Sequence, residues 1–202
     1  MEQLSFFDEP QNGVTLPEDL LDYRPSIFDR EESTSLLQTF ISQTPWIQES
    51  IHMYGKMVKT PRLIAWYGDS NKTYTFSGNK YSPVPWTKEL LAIKARVEPI
   101  AGMAFNTVLL NYYRDGNDSV AWHSDDEYDL GYKPVIASVS FGQERRFDIR
   151  EKRDHQHKYS VVLENGSLLL MKGDLQELWE HRIAKTKLAM KPRVNLTFRV
   201  IR

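Results

Sequence analysis

Cysteine is absent from all 202 residues. No disulfide can form and no thiolate is available as a ligand, so any metal must be held by His, Asp and Glu. Also missing is any apolar run near the roughly 20 residues of a membrane-spanning helix. The opening stretch Met1 to Asp8 lacks a basic head, a long apolar segment and a small-residue cleavage site. It does not read as a secretion signal, and the expected location is cytoplasmic. Charge of one sign is lacking too: 26 Lys and Arg face 27 Asp and Glu, a formal net charge of -1. Binding of polyanions through overall charge is therefore not expected, and a nucleic-acid partner would have to meet a local basic patch. There is no internal repeat and no low-complexity tract.

What remains is an ordinary globular composition, 41% hydrophobic and 26% charged, in a chain long enough for one domain with a substantial core. Residues 1–16 read as a flexible tail and 17–202 as a single domain, with helices and a recognition region over 17–104 and a β-rich core over 105–202. Leu36, Leu37, Phe40 and Ile41 have helical spacing within a segment that starts at Asp29 and is bounded by Pro45. A second helix is predicted from Thr87 to Val97, ended by Pro99 and Gly102. From Phe105 onward the period changes to two, with turn signals at Asp115-Gly116-Asn117 and Asn165-Gly166. Strands are expected at 105–113, 120–125, 135–141, 146–150, 159–163, 167–171 and 193–201. Such a set makes a mostly β, α+β fold: a sandwich, jelly roll or barrel with helices packed outside.

The last strand carries the most information. Val194, Leu196, Phe198 and Val200 alternate with Arg193, Asn195, Thr197 and Arg199, so one face is apolar and the other presents two guanidiniums, an amide and a hydroxyl. A solvated edge strand would show the same alternation. Two further pairs bear on the choice: Asn111 with Tyr113, and His123 with Asp125, each two residues apart. His123, Asp125 and the later His181 make two imidazoles and one carboxylate, the facial set that holds ferrous iron and leaves positions open. That set leaves residual positive charge on the metal and favours an anionic, chelating co-substrate. 2-Oxoglutarate fits, because its keto-acid end chelates iron while its far carboxylate needs a planar, always-charged partner such as Arg193 or Arg199. Two guanidiniums facing inward would need an anion as compensation.

Asn111-x-Tyr113, His123-Ser124-Asp125-Asp126-Glu127, His181 and Pro192 to Arg199 resemble the AlkB dioxygenase family, whose signature includes Arg-x-Asn-x-Thr-x-Arg. The likeness runs from about Trp46 to the end and is similar to the eukaryotic-type DNA-repair branch as well as to bacterial AlkB. It implies a double-stranded β-helix (jelly roll) with N-terminal nucleotide-recognition hairpins, and His123, Asp125 and His181 as both catalytic and iron-binding residues. It also implies a 2-oxoglutarate pocket in which Arg193 binds the far carboxylate and Asn111, Tyr113, Asn195, Thr197 and Arg199 complete the lining. The cofactors implied are Fe(II), 2-oxoglutarate and O2. The reaction implied is oxidative demethylation of bases such as 1-methyladenine and 3-methylcytosine, with formaldehyde, succinate and CO2 released.

Base contacts follow from the same resemblance. Such a base must leave the stack and lie between flat side chains, and Tyr74 and Phe76 resemble the lesion-contacting segment of the duplex-repair homologue. Asp126 and Glu127 could accept from an exocyclic amine, or form a solvated acidic turn. Ile51 to Lys56 reads as a hairpin whose tip, Tyr54-Gly55, offers an aromatic wedge for the gap a flipped base leaves. Basic residues at Arg145-Arg146, 150–158 and Lys185, Lys187 and Lys191 could ring the mouth and meet phosphates. The expected partner is methylated DNA, with RNA or single strands as the alternative, for a monomer without a membrane; a non-catalytic binding module is the reading from another class. Gln3-Leu4-Ser5-Phe6-Phe7 resembles the short peptide by which bacterial repair proteins dock on the sliding clamp.

Overall fold

The computed structural model describes residues 16–53, 55–70, 74–76, 79–81 and 83–202. The expectations placed on the Gln3 to Phe7 peptide, on Tyr54 and on the side chains of Tyr74 and Phe76 lie outside what it describes. Two antiparallel sheets face each other. The larger contains β1 (Leu21–Arg24), β12 (Ser167–Met171), β9 (Ile136–Gly142), β14 (Arg193–Arg199), β7 (Thr107–Tyr113) and β4 (Leu63–Gly68), in that spatial order. The smaller runs β11 (Lys158–Leu163), β10 (Arg145–Glu151), β13 (Trp179–Ile183) and β8 (Val120–His123). The chain crosses between them repeatedly, as in a jelly roll.

The larger sheet is covered on both sides, which settles what its central strand is. Val194, Leu196 and Phe198 pack with Val108, Leu110, Val139 and Phe141 against Phe40, Leu90, Ile93 and Val97 of two helices, α1 (Arg30–Gln43) and α2 (Lys88–Ala101). The opposite face, with Ile64, Trp66 and Leu109, meets Phe147, Ile149, Val161, Leu163 and Ile183 of the smaller sheet. All seven residues of β14 are buried, and the strand pairs with β7 on one side and β9 on the other. It is therefore no solvated edge, and its polar row lies inside the protein.

Element boundaries follow from caps. Asp29 caps α1 by accepting from Glu32 N at 2.8 Å, and Thr87 caps α2 by accepting from Leu90 N at 3.3 Å. The second helix runs past Pro99 to Gly102, a left-handed cap with φ 68°. Proline removes one backbone donor, and so near the helix end this does not stop it. Two strands from the N-terminal part, β1 and β4, form the edges of the larger sheet. The expected hairpin is present as β2 (Ser50–Met53) and β3 (Lys56–Lys59), paired Met53 to Lys56 across the tip. A second small hairpin pairs β5 (Tyr74–Phe76) with β6 (Asn79–Tyr81).

At the end of β9, Gly142 has φ 93°, and a Cβ placed there would meet the Pro192 carbonyl oxygen at 2.4 Å. Both the torsion and the backbone contact require glycine. Gly142→Ala is expected to destabilise the protein by about 1–3 kcal/mol or more, read as a lower urea midpoint with an unchanged slope.

Candidate metal and co-substrate site

Between the sheets lies a cavity walled by side chains from both. From the larger sheet come Asn111, Tyr113, Arg193, Asn195, Thr197 and Arg199, and from the smaller side His123, Asp125 and His181. Leu109, Val120, Phe147, Leu163, Met171 and Ile183 supply the apolar wall.

The three metal-ligand candidates converge, each offering one donor atom within 4.8 Å of the others. His123 and His181 face each other across the β8–β13 pair, ring centroids 4.3 Å apart. His123 Nδ1 lies 2.9 Å from the Ala121 carbonyl oxygen and 3.1 Å from that of His181. Carbonyls accept only from a protonated Nδ1, and in the neutral ring that tautomer leaves the lone pair on Nε2 for a metal; Nε2 sits 3.8 Å from Asp125 Oδ1. The His123 side chain is 36% exposed whereas that of Asp125 is 5% exposed, which places the opening beside His123. Asp125 lies just beyond the end of β8 rather than within it, where its N–H donates to Gln176 Oε1 at 2.8 Å. Gln176 belongs to the short helix α3 (Leu175–Leu178).

Electrostatics keep these groups in ligand form. Burial pushes the His181 imidazole down to about 3, reinforced by His123, so it is neutral at physiological pH. Burial alone would raise the Asp125 carboxyl, but the Arg199 guanidinium beside it brings it below the ordinary carboxylate range. Arg199 Nη2 donates to Asp125 Oδ1 at 2.9 Å, both side chains being 5% exposed. Two imidazoles, that of His181 held neutral by burial, and one carboxylate fit a divalent ion such as Fe(II) with open positions.

The other end of the polar row has a different character. Arg193 is fully buried, donates from Nη2 to Ser140 Oγ at 3.0 Å and lies 5.0 Å over the Tyr113 ring. Burial pulls its guanidinium down to about 10, still charged at neutral pH. Its Nε and Nη1 are buried without a hydrogen-bond partner among the described residues. A buried cation with unmet donors is costly unless an anion meets it, and a carboxylate matches its planar fork. Asn195 is already engaged, donating to Ser138 Oγ at 2.8 Å and Val139 O at 2.9 Å, and accepts from Thr197 at 3.1 Å. The two arginines thus differ: Arg199 serves the metal carboxylate, and Arg193 holds the spare donors.

Other expectations fare differently. Asp126 turns outward, 65% exposed and 3.6 Å from Lys152, because strand alternation ends at His123 and does not carry past it. Glu127 is half-buried and does not line the cavity. Arg145 is buried, donating to the carbonyls of Asp115, Asp118 and Ala184, so it supports loops instead of meeting phosphate. Arg146 and Arg150 pair with Asp148 and Glu180. Lys185, Lys187 and Lys191 lie on the loop entering β14 at Arg193, at the opposite end of the row from Asp125. Arg62 and Gln176 were not anticipated. Arg62 Nε donates to Asn111 Oδ1 at 2.8 Å, a contact 49 residues apart that no local pattern announces.

The His181 shift has a sign that can be tested on metal-free protein. Its folded pKa lies below the unfolded value of 6.5, so the unfolded state binds more protons as pH falls, and stability present above pH 6.5 is lost progressively toward pH 3. His181→Asn removes that contribution. The difference in urea-unfolding free energy between the two proteins should change from pH 7.5 to pH 4.5, with wild type losing more; parallel profiles would contradict a neutral buried His181.

Residues 21–199 match the model of the 2OG-Fe(II) oxygenase superfamily. The chain is 39% identical over 186 residues to the alpha-ketoglutarate-dependent dioxygenase alkB homolog 3 of Mus musculus, covering 88% of this chain and 64% of that protein. It is 38% identical over 185 residues to the DNA oxidative demethylase ALKBH2 of Homo sapiens, covering 87% and 71% respectively. It thus spans 64% of the length of the mouse homologue. The solved structure of OsALKBH1 superposes with a TM-score of 0.65 at 17% identity, covering 92% of this chain and all of the other, a likeness of fold. The complete His-x-Asp…His set, the arginine row and these relatives together make the chain a member of the AlkB family within the 2OG-Fe(II) oxygenase superfamily.

Proposed function

We propose that the protein oxidatively demethylates N-alkylated bases in DNA, using O2 and 2-oxoglutarate. The observation that carries this reading is the pairing, within one cavity, of three convergent metal donors with a buried guanidinium whose Nε and Nη1 have no hydrogen-bond partner among the described residues. The name of the human relative, DNA oxidative demethylase, supplies the substrate class. Bound Fe(II) with 2-oxoglutarate supplies oxidation of the methyl C–H bond, yielding succinate and CO2.

The residues set the conditions for that chemistry. Arg193 would hold the far carboxylate of 2-oxoglutarate through its guanidinium, which Ser140 and the Tyr113 ring keep in place. His123 is kept in one tautomer by two carbonyls, and Asp125 stays ionised beside Arg199. Phe147, Leu163 and Ile183 line the cavity with apolar surface and would keep water from a substrate bound there. The hydroxymethyl group left on the base nitrogen sheds formaldehyde and restores the base.

The deciding experiment is anaerobic loading with Fe(II) and 2-oxoglutarate, followed by air and mass analysis of an oligonucleotide carrying 1-methyladenine or 3-methylcytosine. Loss of one methyl mass with stoichiometric succinate and formaldehyde is expected; succinate without demethylation would point to another substrate. His123→Ala, Asp125→Ala and His181→Ala should each abolish succinate formation. Arg193→Ala should leave metal binding intact but remove a charge-assisted contact of about 1.5–3 kcal/mol, raising the 2-oxoglutarate requirement roughly ten- to hundredfold. Tyr54→Ala should slow turnover of duplex more than of single strands, since only a duplex has a stack gap to fill; equal losses would contradict the wedge.

A further inference from the structure

Val120 and His123 both line the cavity although they are three residues apart, a spacing that puts side chains on opposite faces of a regular strand. A register shift reconciles them. Along β13, His181 pairs with His123 and Ile183 pairs with Val120, so two steps on β13 match three on β8, and β8 carries one extra residue. This is a β-bulge, located at the metal-ligand candidate itself. Its two intervening residues are Ala121, whose carbonyl accepts from His123 Nδ1, and Trp122.

Trp122 lies against the outer face of the smaller sheet under two guanidiniums. Arg150 Cζ is 4.0 Å and Arg182 Cζ 4.4 Å from the indole centroid. Neither cation is loose. Arg150 Nε donates to Glu180, its register partner on β13, and Arg182 Nε donates to Asp148 Oδ2 at 3.0 Å. The buried Asp148 also takes Arg146 at 2.8 Å and Ser160 Oγ at 2.9 Å. The network reaches all four strands, from Ser160 on β11 to Trp122 on β8. It reaches β8, an edge strand with one pairing neighbour, through the two cation–π contacts on Trp122.

We infer that Trp122 is a positioning residue: stacked on Arg150 and Arg182, it fixes the bulge of β8 and thereby aims the His123 imidazole into the metal site. A guanidinium over an indole face is held by the ring quadrupole, and a bulge is the device by which a strand re-aims one side chain. Without the stack, β8 can return to regular alternation, which would turn His123 away from Asp125 and His181.

The inference rests on reading His123, Asp125 and His181 as metal ligands, and the test separates the two. Mn(II), which is EPR-active and stable in air, is titrated into metal-free protein of residues 1–202, with thermal unfolding of the same metal-free samples measured alongside. Wild type that fails to bind Mn(II) would sink the ligand assignment itself. Given wild-type binding, Trp122→Ala should weaken Mn(II) binding about ten- to hundredfold, as loss of outer support does at metal sites, and should broaden the EPR signal. Trp122→Phe, which keeps an aromatic face, should stay close to wild type. Wild-type affinity and spectrum in Trp122→Ala, with only a lower melting temperature, would overturn the inference. If Trp122→Ala does not fold, Arg182→Met decides in the same way: a smaller loss of Mn(II) affinity supports the role, and unchanged affinity removes it.

Discussion

The ion pair between Arg199 and Asp125 ties together the parts on which the site depends. It spans 2.9 Å between two side chains that are each 5% exposed, joining the last residue of the central strand of one sheet to the residue two past the end of an edge strand of the other. A carboxylate in that position would otherwise be driven toward its protonated form by burial, and a protonated acid is a poor metal ligand. Arg199 in turn can be buried only because Asp125 and its surroundings compensate the charge. Each partner thus makes the other's position tenable, and breaking such a pair is strongly destabilising, by about 3–5 kcal/mol.

A gradient of charge runs along β14 from that pair. At one end Arg199 and Asp125 neutralise each other beside two imidazoles, of which His181 is held neutral by burial. At the other end Arg193 remains charged and only partly satisfied. Asn195 and Thr197 in between bond to each other and to β9, stiffening the floor without adding charge. A cavity with metal donors at one end and an unmet guanidinium at the other suits a ligand that chelates with one end and carries a carboxylate at its far end, as 2-oxoglutarate does.

The outer surfaces matter as much as the inner ones. Helices α1 and α2 bury the apolar face of the larger sheet, and that cover forces the polar face of β14 inward. On the smaller sheet, ion pairs around Asp148 and Glu180 link neighbouring strands. Several basic residues that a linear scan groups as phosphate contacts are engaged in this way. Charge runs in sequence say little about free charge in the fold, because salt-bridge partners arrive from other strands.

The sequence by itself determined the chemistry. Strict alternation from Arg193 to Val200 separates a polar from an apolar face whatever the fold, since side-chain period two is a property of the extended backbone. Ligand types and their order could likewise be read directly, and in a chain without cysteine only His, Asp and Glu could hold the metal. The helices were legible because their caps and apolar spacing are local. Tertiary structure decided the rest. Strand β13 carries His181 yet escaped notice, since Trp179-Glu180-His181-Arg182-Ile183 has charged alternate positions that only neighbouring strands explain. Packing of helices on one side and a sheet on the other turned β14 from a possible edge into a buried centre. The division of labour between Arg193 and Arg199, the arrival of Arg62 and Gln176, and the bulge that aims His123 all depend on contacts between residues distant in the chain. Local periodicity carries no information about such contacts, because it says which side chains share a face and not what that face will meet.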